Sequence, residues 1–289
     1  MFDFRGLQSF ILMTTMLSVL WNPSEIALEI GPIALRWYAL CWGLGLGLAY
    51  YVVYRLYKDQ KLGADKFDPL FVYCFVGILV GARLGHCLLY DPGYYLNNIA
   101  EMLLPIKIMA DGSWKMIGYA GLASHGGTLG VIIALMLYAK KTGVKFLHAL
   151  DNISIATPIT AACIRLGNLM NSEIVGKPTG SDWGFVFQRN GEDFARHPGQ
   201  LYEAIAYAAL FPIMLWLYRR YKERVGSGYF FAVAILFIFS CRFVIELCKE
   251  VQEPWELAMQ EMIGINQGQL LSLPFIALGA WMLRRALKK

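Results

Sequence analysis

Seven runs of about 20 consecutive apolar residues dominate this chain, and they constrain its fold more than any other feature. They lie at roughly 34–54, 69–90, 117–139, 147–168, 199–218, 228–247 and 267–283. A run of that length matches the hydrocarbon thickness of a bilayer at 1.5 Å of helix rise per residue. Inside lipid every backbone N–H and C=O must be satisfied within the segment, so the runs predict helices. The expected fold class is an all-α integral membrane protein of seven transmembrane helices with outer-face arm and loop segments. The whole chain, 1–289, reads as a single polytopic membrane domain. Composition agrees: 57% of the 289 residues are hydrophobic and 16% charged, against about 25% charged in soluble domains.

The net charge of +5 is distributed as a topology signal. Lys and Arg fall in short runs between apolar stretches rather than on one soluble face, so nucleic acid is not an expected partner. Alternate connections carry 15 and 8 basic residues. The richer set contains Arg55, Lys140, Arg219 and Arg284 and is expected on the cytoplasmic side. The N-terminus is then periplasmic and the C-terminus cytoplasmic. The longest connections, 91–116 and 169–198, fall on the outer side with the 1–33 segment. Phe10 to Trp21 is apolar but short. Asp3 offsets Arg5 and no A-x-A site follows, so it reads as an uncleaved interfacial or packing helix. Met102 to Ala110 contains Pro105 and Lys107 and reads as a surface-lying arm. The six cysteines lie in or beside apolar runs without a C-x-x-C pair and read as small buried hydrophobes.

Ionisable residues inside a bilayer are costly and mark function by default. Arg83, Arg165, Arg242 and Glu246 lie late in outward-running spans. Glu203 and Tyr38 lie at the outer start of theirs. His125 falls about eight residues into an inward-running span, about 12 Å deep. Asp151, near the inner face, is the exception. Three guanidiniums, two carboxylates and an imidazole converging on the outer half describe an anion site, since the planar guanidinium binds phosphate in bidentate fashion. The alternative is a set of internal ion pairs holding the bundle together.

Two stretches sharpen the expectation. Arg165-Leu-Gly-Asn168-Leu-Met-Asn171-Ser-Glu173-Ile-Val-Gly176 ends a span in amides, a carboxylate and glycines. The backbone is expected to leave the helix there at membrane depth, which requires protein or a cavity around it. Ser124-His125-Gly126-Gly127 with Gly130 forms a G-x-x-x-G face for close helix packing, beside which His125 is a candidate base. There is no H-E-x-x-H, Walker loop or metal-ligand cluster, and the four histidines are dispersed.

These residues resemble the phosphatidylglycerol–prolipoprotein diacylglyceryl transferases of bacterial inner membranes. The resemblance runs from about Arg36 to Pro274, most strongly through Arg165–Gly176. Supporting stretches are Arg36-Trp-Tyr38, Gly81-Ala-Arg83-Leu-Gly85, Ser124–Gly127, His197-Pro-Gly-Gln-Leu-Tyr-Glu203, Arg242-Phe-Val-Ile-Glu246 and Gly268–Pro274. It implies a multi-pass protein of the cell inner membrane with no metal or organic cofactor. The implied partners are phosphatidylglycerol, the bilayer, and a prolipoprotein signal peptide with its lipobox cysteine. The implied reaction transfers a diacylglyceryl group to that thiol, leaving a thioether and glycerol phosphate, as the first step of lipoprotein maturation. It implies catalytic roles for His125, Arg165, Arg242, Glu246 and Tyr38. Lipid contacts would come from Arg165, Asn168, Asn171, Glu173, Gly176, Arg83 and Glu203. Many members carry a tyrosine one turn before the arginine at 242, where this chain has Ile238. Two readings from other classes remain: a transporter or flippase for an anionic lipid, which predicts polar residues through the inner half, and a lipid-binding protein without catalysis.

Overall fold

The computed structural model describes residues 18–31, 33–109, 111–116, 121–251, 259 and 261–288. They fall into two compact units, residues 1–53 with 151–289 and residues 54–150. Among the described residues six helices are long and apolar enough to cross a membrane. They are α1 (Trp37–Asp59), α2 (Ala64–Leu89), α6 (Phe146–Met170), α7 (Gly199–Arg220), α8 (Tyr229–Ile245, continued by a 3-10 turn to Cys248) and α9 (Gln267–Leu287). The third expected run is also helical, as the 19-residue α5 (Ser124–Thr142), which stands outside those six. Short helices α3 (Pro92–Asn97) and α4 (Ile99–Leu103) follow α2.

Within the unit of residues 54–150, α2 and α5 pack at backbone contact. A Cβ on Gly85 would stand 2.6 Å from Gly126 Cα, and one on Gly130 3.0 Å from Gly81 Cα. Dispersion between helices in lipid depends on such approach, and the glycines that the G-x-x-x-G spacing singled out provide it. The outward sides of this pair, such as Val72, Val76, Leu129 and Ile133, are exposed as lipid-facing side chains should be.

The other unit is organised around α6, α7, α8 and α9. Asp151 is fully buried at the start of α6. Its carboxylate accepts from the amides of Gly226 at 2.8 Å, Gly228 at 2.9 Å and Phe231 at 3.0 Å. It therefore satisfies the orphan N–H groups at the start of α8, which accounts for the one polar residue that stood apart in the sequence.

Short strands supplement the helices. The strand β1 (Ser18–Trp21) pairs in parallel with β6 (Gly184–Phe187). The strands β2 (Ile26–Ile30) and β3 (Ile33–Arg36) form one antiparallel pair, and β4 (Ile106–Ile108) and β5 (Trp114–Met116) another. The helix expected to run from Phe10 to Trp21 is thus corrected over its last four residues; residues 10–17 lie outside the described ones. The strand wins because its amides pair with β6 and the Trp21 indole donates to the Leu169 carbonyl at 2.8 Å, contacts a surface helix could not make.

Candidate active site

The segment from Arg165 to Gly176 leaves α6 as its composition predicts. The helix ends at Met170, and Ser172 and Ile174 both adopt φ of +55°. For a β-branched residue this is a strained conformation, costing on the order of 1–3 kcal/mol and held only where surroundings over-determine it. Those surroundings are on hand. Glu173 N donates to Asn168 O at 3.0 Å. The carbonyls of Asn171 and Ser172 accept from Arg189 at 3.3 Å and Asn190 at 3.1 Å. Arg189 is itself held by Glu25.

Gly176 closes the turn. Its amide donates to His197 O at 2.8 Å, and Lys177 N donates to Cys248 O at 2.8 Å. A Cβ at 176 would stand 2.5 Å from His197 O and 2.6 Å from Cys248 O, so only glycine fits. Arg196, 7% exposed, donates to the Gly176 carbonyl at 3.1 Å and pairs with Glu192 and Glu250. Burial works against its charge, but the two carboxylates outweigh that and hold its proton more tightly than usual.

This frame assembles a chain of charges from α6, α7 and the end of α8. Arg165 Nη1 donates to Asn168 Oδ1 at 3.0 Å. Asn168 Nδ2 and Asn171 Nδ2 donate to the two oxygens of Glu173 at 3.0 and 3.1 Å. On its other side Arg165 Nε lies 2.5 Å from Glu203 Oε2. Glu203 Oε1 accepts from Lys249 Nζ at 2.8 Å, and the same ammonium lies 3.3 Å from Glu246 Oε2. Arg242 Nε completes the chain, 4.0 Å from Glu246 Oε2. The i, i+4 spacing of Arg242 and Glu246 does put them on one face, but too far apart for a direct hydrogen bond.

The start of α9 fixes Glu246 from behind. Asn266 caps the helix in a reciprocal pair with Gln269, and its Nδ2 donates to Glu246 O at 3.2 Å. A Cβ on Gly268 would collide with the Glu246 carboxyl group. The Gly268-Gln269 stretch is thus the support for Glu246.

The result is a chain of three cations and three carboxylates. Among the described residues Arg242 Nε, itself buried, has no hydrogen-bond partner, while the side chain as a whole is 36% exposed. Arg165 is 20% exposed beside a fully buried Glu203. Both guanidiniums thus face a carboxylate at Nε while part of each side chain stays exposed. Tyr38, in the first turn of α1, packs its ring against Gly167, where a Cβ would lie 3.0 Å from Tyr38 Cδ2.

Of the site residues expected from sequence, this unit brings together Tyr38, Arg165, Asn168, Asn171, Glu173, Gly176, Glu203, Arg242 and Glu246. Arg83 and His125 belong to the other unit. Arg83, 8% exposed, donates to the carbonyls of Glu101 at 2.6 Å and Met102 at 3.1 Å and lies over the Tyr95 ring. His125 is exposed in the first turn of α5, at one end of a groove of about 730 Å³ lined by α2 and α5. It does not lie eight residues into a helix. Gly121 at φ +81° and the Ala123 amide, bonded to Ala82 O at 2.9 Å, keep residues 121–123 out of helix.

Sequence reasoning missed Lys249, which is 4% exposed and was grouped with the loop charges. Its position three residues after Glu246 was the available signal. It also missed Gln200, fully buried with neither carboxamide atom hydrogen-bonded among the described residues.

A family model described as Prolipoprotein diacylglyceryl transferase matches residues 25–285. A phosphatidylglycerol–prolipoprotein diacylglyceryl transferase of Bacteroides fragilis is 51% identical over 266 residues, covering 92% of this chain and 94% of the relative. The protein of the same name from Porphyromonas gingivalis is 44% identical, covering 96% and 97% of the two chains. That of Tolumonas auensis is 40% identical, covering 90% and 94%.

Proposed function

Because the chain belongs to the prolipoprotein diacylglyceryl transferase family, we propose that it moves the diacylglyceryl group of phosphatidylglycerol onto the lipobox cysteine of a prolipoprotein, the first step of lipoprotein maturation. The thiolate sulfur attacks the glyceryl carbon and forms a C–S bond. The C–O bond to phosphate breaks, and its electron pair leaves on glycerol phosphate. The protein works as a multi-pass membrane enzyme of the bacterial inner membrane, with seven spans, a periplasmic N-terminus and a cytoplasmic C-terminus. Nucleic acid has no part in it.

The part-exposed guanidinium of Arg242, at the other end of a charge chain from an Arg165 anchored by Glu203, is the observation that supports this reading most. Negative charge grows on the phosphate oxygens as the C–O bond breaks. Fixed donors aimed at that charge stabilise the transition state more than the ground state. By analogy with other preorganised anion holes, each such donor is worth about 3 kcal/mol. Arg165 and Arg242 hold the phosphate, Glu246 orients Arg242, and Glu203 with Lys249 fixes the direction of Arg165. Asn171 and Glu173 contact the glycerol, and Asn168 and Gly176 shape the turn that presents them. Tyr38 lines the same site. His125 accepts the thiol proton, since the thiolate is the attacking species. Arg83 acts on the lipid through the segment whose carbonyls it holds.

The test is purified protein in phosphatidylglycerol vesicles with a lipobox peptide. The expected result is a mass gain of one diacylglyceryl group on the peptide cysteine and an equal yield of glycerol phosphate. Lipid movement across the vesicle without modified peptide would replace the transferase reading with a flippase.

A further inference from the structure

Residues 91–116 build a small amphipathic structure at the end of a membrane helix. The helix α2 ends at Leu89, and α3 begins three residues later at Pro92. Arg83 lies six residues, or about 9 Å of helix rise, from that end. Its guanidinium binds the carbonyls of Glu101 and Met102. The segment is therefore pinned against the last turns of a span, at the level where hydrocarbon gives way to head groups.

The hairpin of β4 and β5 divides its side chains by face. Its register pairs Ile106 with Met116, Lys107 with Lys115, and Ile108 with Trp114. Alternation puts the four apolar side chains on one face and both lysines on the other. Trp114 is 66% exposed, Met116 68% and Ile108 43%, and on α4 and just after it Leu103 and Leu104 are exposed as well. So large an apolar display has no place in water, and tryptophan is enriched at membrane interfaces. Lys107 and Lys115 are cross-strand partners on one face, a repulsive placement for like charges in a hairpin. Both lysines are exposed.

We propose that this hairpin is a docking surface for an anionic phospholipid leaflet, with Ile108, Trp114 and Met116 inserted at the lipid boundary and Lys107 and Lys115 gathering phosphate head groups. The repulsion between the lysines is what an anionic leaflet relieves. Charge complementarity and continuity with the span argue for lipid over a protein partner. Interfacial segments with basic polar faces bind by this sum of apolar burial and attraction to anionic lipid. The surface shares no residue with the Arg165 network, and its role is binding rather than chemistry.

The experiment uses the full protein in phosphatidylcholine vesicles containing a fixed fraction of bromine-labelled lipid, either phosphatidylglycerol or phosphatidylcholine. The chain has eight tryptophans, so the Trp114 signal is taken as the difference from Trp114→Phe. Quenching of Trp114 by both lipids is expected, and at low salt more strongly by the anionic one. Lys107→Gln with Lys115→Gln should remove that preference, about five-fold in local enrichment per lysine, while leaving quenching by phosphatidylcholine intact. Equal quenching by the two lipids in the unaltered protein, or a preference that survives the double substitution, would overturn the electrostatic claim. A Trp114 untouched by either lipid would overturn insertion. No peptide is present, so the outcome does not depend on the transferase reading.

Discussion

Lys249 Nζ lies 2.8 Å from Glu203 Oε1, with the two side chains 5% and 0% exposed. The other oxygen of Glu203 faces Arg165 Nε. One buried carboxylate therefore anchors two cations from different elements, and each cation shields it from the cost of burial. Removing one member of such a set leaves an uncompensated charge, at about 3–5 kcal/mol. Lys249→Met should lower the thermal unfolding midpoint markedly. Glu203→Gln in the same chain should restore part of the loss, giving a coupling energy in a double-mutant cycle. Strictly additive losses would mean the pair does not act as a unit.

Arg242 is the contrasting case, because it stands at the end of the network, part-exposed and 4.0 Å from its carboxylate. Arg242→Ala should lower kcat/KM by about 10²–10³-fold, the usual loss for one preorganised anion donor, with the unfolding midpoint nearly unchanged. Arg242→Lys keeps the charge but loses the planar fork, so recovery should be partial. Arg83→Met should show the opposite pattern, since its donors serve the carbonyls of Glu101 and Met102. Lost stability and loosened residues 91–116 are expected there. Rates and unfolding midpoints on the same preparations decide both.

Lipid made much of the fold readable, because a bilayer admits few backbone solutions and the apolar runs announce their length. The Arg165–Gly176 turn was readable for a related reason: amides and glycines in series at the end of a span favour turns over continued helix. Lys249 was not, because a lysine at a span end looks the same whether it faces water or folds back onto Glu203. Ser18–Trp21 was not, because four residues, three of them apolar, carry no usable period and the parallel partner is more than 160 residues away. The start of α5 was misplaced because Gly121 and the Ala123–Ala82 hydrogen bond delay a helix that hydropathy begins earlier.

Gly176 tests whether the turn matters as geometry. Gly176→Ala must push apart the segments carrying His197 and Cys248, at about 1–3 kcal/mol for overpacking. Because those segments lead to Glu203 and Lys249, activity should fall further than stability does. Gly43, where a Cβ would meet nothing within 4 Å, is the control. Gly43→Ala should be neutral or stabilising by up to about 1 kcal/mol. Equal behaviour of the two substitutions would remove the argument for the turn.

Gln200 invites a prediction in the other direction. It shares a buried face of α7 with Glu203, yet among the described residues its carboxamide has no hydrogen-bond partner. Leaving such a group unsatisfied costs about 1–3 kcal/mol, and an apolar replacement of similar shape relieves it. Gln200→Met should raise the unfolding midpoint or leave it unchanged. A clear drop would show that the carboxamide gains a partner in the membrane.

Glu101 makes the attachment of residues 91–116 depend on pH. The Tyr94 hydroxyl donates to its carboxylate at 2.6 Å and the Ile108 amide at 2.8 Å. The hydroxyl first, then the amide, hold its carboxyl below the usual glutamate range, against an opposing push from burial and with help from Lys107 and Arg83. A depressed value in the folded state means the stabilisation is complete above the unfolded value of about 4.3 and is lost as pH falls through the lower, folded one. The segment should therefore stay closed at neutral pH and open in acid. Hydrogen-exchange protection of the Ile108 amide, measured from pH 7 downward, should fall below about pH 4. Tyr94→Phe should move that onset upward, because the main contact holding the proton off is gone. Glu101→Gln should make protection independent of pH, and an unchanged acid onset in that variant would assign the opening to another group.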